Sequence, residues 1–142
     1  MKNIINLLVI IILSSCASTS QLAKYTGNEK LTSSQARIYV LRPSIVGGAI
    51  KMKVFNNDKL IGKTGPKSYL CWDVNEGEYL IRSNSENKDY FNINAKAGKT
   101  YYIKQTPKFG WVVARVSLEQ ISNEEGKEIL EKLKKPTLKY AE

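Results

Sequence analysis

The chain has 142 residues, a length that bounds it to one domain of ordinary size. Lysine and arginine total 22 against 13 acidic residues, a formal net charge of +9. Histidine is absent, which removes the commonest general base, the usual partner in Ser and Cys triads and the commonest metal ligand. No catalytic set, metal or cofactor is therefore expected, and no enzyme.

The chain opens MKNIINLLVIIILSSCAS. Lys2 supplies a small positive region, and Leu7 to Leu13 form an apolar run that Ile4 and Ile5 extend. A hydrocarbon core needs about 20 residues in a helix, so this run, of roughly ten, is too short to span. A buried terminal helix or strand would show a period of 3.6 or 2, and the run shows neither. It ends at Leu13-Ser14-Ser15-Cys16, which resembles the lipobox of a bacterial lipoprotein signal peptide. That resemblance implies removal of residues 1–15 and fatty-acyl (palmitate-type) lipidation of Cys16. Two or three acyl chains anchor stably where one does not. Ala17, not Asp, follows Cys16, which by analogy favours the outer membrane in a host with two membranes. The only charged residue in 1–15 is Lys2, so the remaining chain would carry +9 − 1 = +8.

A cationic protein held by lipid in the envelope meets anionic head groups, cell-wall polymers and acidic protein faces. The plainer reading is that surface lysines keep a tethered domain soluble. There is no basic helix, zinc-ligand set or aromatic RNA-binding motif, so a nucleic-acid partner is not expected.

Residues 16–35 read as the lipidated Cys followed by a flexible, polar tether. From Ala36 to Glu142 the texture is that of a folded domain. Short runs rich in Ile, Val, Tyr and Phe recur about every ten residues between turn residues, as in a β-sandwich or barrel. The first is 36–42, ended by Pro43. Residues 50–55 alternate, with Ile50, Met52 and Val54 on one face and Lys51, Lys53 and Phe55 on the other. Asn56-Asn57-Asp58 turns them into a returning strand, 59–64. Further strands are expected at 68–74 (Leu70, Trp72 and Val74 on one face), 78–83, 89–95 (Phe91, Ile93 and Ala95 inward), 99–105 and 111–118 (Val112, Ala114, Val116 and Leu118 inward). Gly47-Gly48 marks a loop or bulge. The period then changes: Ser122 and Glu125 fit a capping box, Ile129, Leu130 and Leu133 form a stripe, and Pro136 is a stop. One helix is expected over about 122–135, on the sheet or across an open edge. Lys132, Lys134 and Lys135 would suit its C-terminal dipole.

In this order the motifs resemble a family of small bacterial lipoproteins carrying domain of unknown function 2846. The matching pieces are Arg37-Ile38-Tyr39-Val40 with Arg42-Pro43, the hairpin ending at Ile61-Gly62, Glu76-Gly77-Glu78-Tyr79, and Ala97-Gly98-Lys99-Thr100-Tyr101-Tyr102. Part is also similar to PEGA-type surface modules, although Asn57-Asp58-Lys59 and Glu76-Gly77 stand where those carry Asp-Gly and Pro-Gly. The resemblance spans about residues 36–135. It implies a mainly β chain, an antiparallel β-sandwich of transthyretin- or immunoglobulin-like type, and an envelope location. It carries over no catalytic residues.

Weighed individually, few residues promise chemistry. Cys71 shares a strand face with Tyr69 and Asp73 and reads as a buried thiol, with an intermolecular disulfide as the alternative. Asp58, Asp73, Glu76, Glu78 and Asp89 read as surface charge rather than a glycosidase pair. Core packing is expected for Trp72, Tyr79 and Tyr101. Tyr102 must face opposite to Tyr101, so Tyr102 with Lys104, and Lys51 with Lys53, are the candidate ligand-binding strips. The functional expectation is a non-catalytic envelope lipoprotein that binds a protein partner. The alternative is a glycan-, peptidoglycan- or anionic-lipid-binding module.

Overall fold

A computed structural model describes residues 30–109 and 114–133. The readings made on the signal segment, Cys16, Ala17, Trp111, Val112, Lys134, Lys135 and Pro136 lie outside them. The elements are β1 (Gln35–Arg42), β2 (Met52–Asn56), β3 (Lys59–Thr64), β4 (Ser68–Asn75), β5 (Gly77–Asn84), β6 (Lys88–Ala95), β7 (Thr100–Phe109), β8 (Ala114–Ile121) and α1 (Asn123–Lys132). They form two four-stranded sheets, β4-β1-β7-β8 and β3-β2-β5-β6, stacked as a β-sandwich. All pairings are antiparallel except β1 with β7, which is parallel.

Strand alternation sorts the side chains. Ile38, Val40, Leu70, Trp72, Val74 and Ile103 point between the sheets and meet Val54, Ile81, Ile93 and Ala95 from the other side. Trp72 is buried, as expected, while Tyr79 and Tyr101 pack half-buried against this core. The Tyr101 hydroxyl donates to Asn94 O at 3.1 Å and accepts from Lys96 N. Some of the polar groups in this layer form a network. The Thr64 hydroxyl donates to Gln105 Oε1, and Gln105 Nε2 donates to the Ser83 hydroxyl at 2.6 Å, so four buried polar groups satisfy one another across the sheets.

The other face of β4-β1-β7 is buried as well. Tyr39, Leu41, Tyr69, Cys71 and Tyr102 lie under α1, which lowers Ile129, Leu130 and Leu133 onto them. Strand β1 is thus covered on both sides, and its sequence IYVL is correspondingly apolar throughout. Ser122 caps α1 by accepting the Glu125 N–H at 3.1 Å. The helix lies on the sheet face and not across an edge.

The β8 edge is closed by side chains rather than by a further strand. Asn87 donates to Val116 O and accepts from Val116 N (3.0 and 2.7 Å), and Asp89 accepts from Leu118 N at 2.6 Å. These bonds stitch the start of β6 in one sheet to β8 of the other and satisfy ladder groups on the β8 edge.

Glu76 performs a similar task at the crossing from β4 to β5. Its carboxylate accepts from the Ala97 N–H at 3.2 Å and faces Lys96 Nζ at 3.5 Å. The backbone bond and then the lysine charge hold this carboxyl below its ordinary range. A depressed folded-state value stabilises above the unfolded pKa, and the contribution disappears as pH falls through the folded one. Glu76→Gln should therefore lower the urea midpoint at pH 7, with wild type and variant converging toward pH 3. A gap that persists at pH 3 would mean that the carboxylate charge is not what this side chain contributes.

Candidate functional site

Among the described residues no element covers the outer face of β3-β2-β5-β6, in contrast to the other sheet's outer face, which α1 covers. Register aligns its residues in rows across four strands. The pairs Lys63↔Lys53, Lys53↔Asn84 and Asn84↔Lys88 make one row. The pairs Leu60↔Phe55, Phe55↔Arg82 and Arg82↔Tyr90 make the next, two residues along the strands. Leu80↔Asn92 and Glu78↔Asn94 follow on β5 and β6. With strands about 4.8 Å apart, each full row runs about 14 Å, and the rows are about 7 Å apart.

The second row is the unusual one. Leu60 is 42% exposed and Tyr90 51%, and with Leu80 (36%) of the next row they make an apolar group on a face that in most sandwiches is polar. Arg82 lies over the Phe55 ring, its guanidinium carbon 4.1 Å from the centroid, a cation–π contact that fixes both side chains. A bulge shifts the register between Val54 and Phe55, so Ile61 and Gly62 both turn inward and Leu60 turns out beside Phe55. Next to this row a groove of about 580 Å³ is lined by Leu80, Asn57, Asn92, Asn94 and Glu78. Asn57, in the left-handed region (φ 52°) at the hairpin tip, borders it and accepts from Leu80 N through its side chain.

The structure separates the sequence-derived candidates. Lys51 and Lys53 are exposed, Lys53 in the lysine row and Lys51 just before β2. Tyr102 is not part of an exposed strip: it is 5% exposed under α1 and stacked on Tyr39, with centroids 5.0 Å apart and planes at 11°. Tyr102 does face away from Tyr101, and α1 occupies the side to which it turns. Lys104, on the same face, is engaged by Glu125 at 3.1 Å and Glu119 at 3.8 Å. The two proposed strips thus lie on opposite sides of the sandwich and cannot act together.

The other candidates are structural. Asp73 forms a two-pronged ion pair with Arg37 (2.7 and 2.8 Å), its cross-strand partner. Cys71 is fully buried opposite Tyr39, as expected of a core thiol. Burial first, and Cys71 second, raise the hydroxyl pKa values of Tyr69 and Tyr102. Among the described residues no three acidic or cysteine side chains are grouped to hold a metal, and no helix is long and apolar enough to cross a membrane.

Comparison with known proteins gives a family. Residues 32–117 match the family described as "Protein of unknown function (DUF2846)". A protein of Haemophilus influenzae (strain ATCC 51907 / DSM 11121 / KW20 / Rd), described as an uncharacterized protein, is 36% identical over 135 residues, covering 88% of this chain and 78% of its own. The chain belongs to this family.

Proposed function

We propose that this chain, a member of the DUF2846 family, is a non-catalytic lipoprotein of the bacterial envelope, anchored through Cys16 and binding a protein partner with its β-sandwich. The anchor rests on the sequence MKNIINLLVIIILSSCAS. The binding role rests on one observation: the open face of β3-β2-β5-β6 combines an apolar, aromatic and arginine centre with a lysine border. That is the anatomy of a protein interface, where Tyr, Phe and Arg concentrate at the centre and charge at the rim. A glycan is the second reading, favoured by the groove in which Asn57, Asn92 and Asn94 gather one row from exposed Tyr90.

Fractionation of bacteria expressing the tagged full chain tests the anchor. Wild type should sediment with membranes, and Cys16→Ser should not. A Cys16→Ser protein that stays with the membranes in full would overturn lipid anchoring.

A further inference from the structure

The open sheet face carries four cations, Lys53, Lys63, Lys88 and Arg82, and no carboxylate among the described residues pairs with any of them. The other described lysines on the sandwich and helix include several that are matched: Lys96 by Glu76, Lys104 by Glu119 and Glu125, Lys132 by Glu128. Glu78 stands on the same face, but two rows along β5 from Arg82, and forms no ion pair with these four cations. We infer that the outer face of β3-β2-β5-β6 docks an acidic protein surface, with carboxylates along the Lys63-Lys53-Lys88 row and an apolar side chain seated among Leu60, Phe55 and Tyr90. The inference rests on the protein-binding reading above and gives that partner its chemistry.

Other occupants fit the charges less well. A second copy would set four cations against four cations, which opposes association. The chain's own segments beyond the described residues are no better matched. Residues 1–29 hold Lys2 and Lys24 against Glu29, and residues 134–142 hold three lysines against Glu142. An acidic partner meets every charge on the row, and its apolar contact takes Leu60 and Tyr90 out of water. The Arg82–Phe55 stack offers it a pre-ordered guanidinium at the centre of the face, where binding energy concentrates.

The test places a photo-crosslinking phenylalanine analogue at Leu60, at Tyr90 or at Glu128, which lies on the helix side, in the full chain expressed in envelope-intact bacteria. Crosslinks from 60 and 90 should reach one protein at a peptide bearing several Asp or Glu, and 128 should not reach it. Lys53→Glu with Lys88→Glu should cut the yield about tenfold or more without lowering the thermal midpoint. Crosslinks to a neutral or basic peptide, to glycan or lipid alone, equally from all three positions, or unaffected by charge reversal would each overturn the inference. So would no crosslink at all. Membrane fractionation of the same cells separates the two proposals: an anchored chain that fails to crosslink overturns only the docking, and a crosslinked chain that is not anchored overturns only the lipoprotein reading.

Discussion

Gly126→Ala will lower the stability of the domain by about 2–3 kcal/mol, the cost of overpacking a close contact. Helix propensity alone predicts the reverse, since alanine in a helix interior is favoured over glycine by about 1 kcal/mol. The contact decides the sign. A Cβ at position 126 would sit 2.5 and 2.6 Å from Cδ2 and Cδ1 of Tyr102 and closer still to Cγ. The ring cannot swing aside, because it is 5% exposed and stacked on Tyr39. The helix must therefore lift, drawing Ile129, Leu130 and Leu133 off the sheet. In thermal unfolding followed by circular dichroism, the midpoint should fall by about 10 °C. In a Tyr102→Ala background, itself destabilised, Gly126→Ala should cost less than in wild type, because the two substitutions share one contact. An unchanged or raised midpoint for Gly126→Ala would show that α1 does not rest on Tyr102.

Arg42→Ala will cost about 3 kcal/mol or more and release the loop between β1 and β2. Arg42 is fully buried, and no carboxylate among the described residues pairs with it. Its guanidinium instead donates to four backbone carbonyls: Nη1 to Ile50 O (2.7 Å) and Thr64 O (3.2 Å), Nη2 to Val46 O (3.0 Å) and Gly47 O (2.9 Å). Burial lowers its pKa from the ordinary arginine value. Three of these carbonyls belong to residues 43–51, which the planar fork ties to the end of β3 at Thr64. Gly47, at φ 68°, supplies the left-handed backbone that turns the loop around the group. The urea midpoint should fall, and limited proteolysis should open a site within 43–51 that is closed in wild type. Arg42→Lys should behave almost as badly, because an ammonium cannot present two parallel pairs of donors. Unaltered proteolysis would mean that the loop is held by something other than this cage.

Much of this architecture is legible in the sequence because it is local. Alternation in 50–55, the two-residue turn at Asn57-Asp58 and the Ser122 cap each set their own element within a few residues. What crosses elements is not legible. Glycine in NEEGKEIL reads as a weak point in a helix; that it faces the Tyr102 ring depends on how α1 docks. Arg42 before Pro43 reads as the end of a strand, and its cage is built from residues up to 22 positions away. The row Leu60-Phe55-Arg82-Tyr90 draws on four strands whose neighbours are set by register. Phe55 and Tyr90 were visible as aromatics, but Leu60, Leu80 and Arg82 gave no local sign of sharing a face with them. The burial of Tyr102 has the same cause: a strand's two faces follow from its period, and which of them a helix covers does not.

The most direct test of the lipoprotein reading is the intact mass of the protein extracted from the membranes of a bacterium that processes lipoproteins. The expected species starts at Cys16, lacks residues 1–15 and carries the added mass of a diacylglyceryl group, with or without a third acyl chain. An unmodified chain retaining Met1 would contradict it, and the sandwich would then have to meet its partner without an anchor.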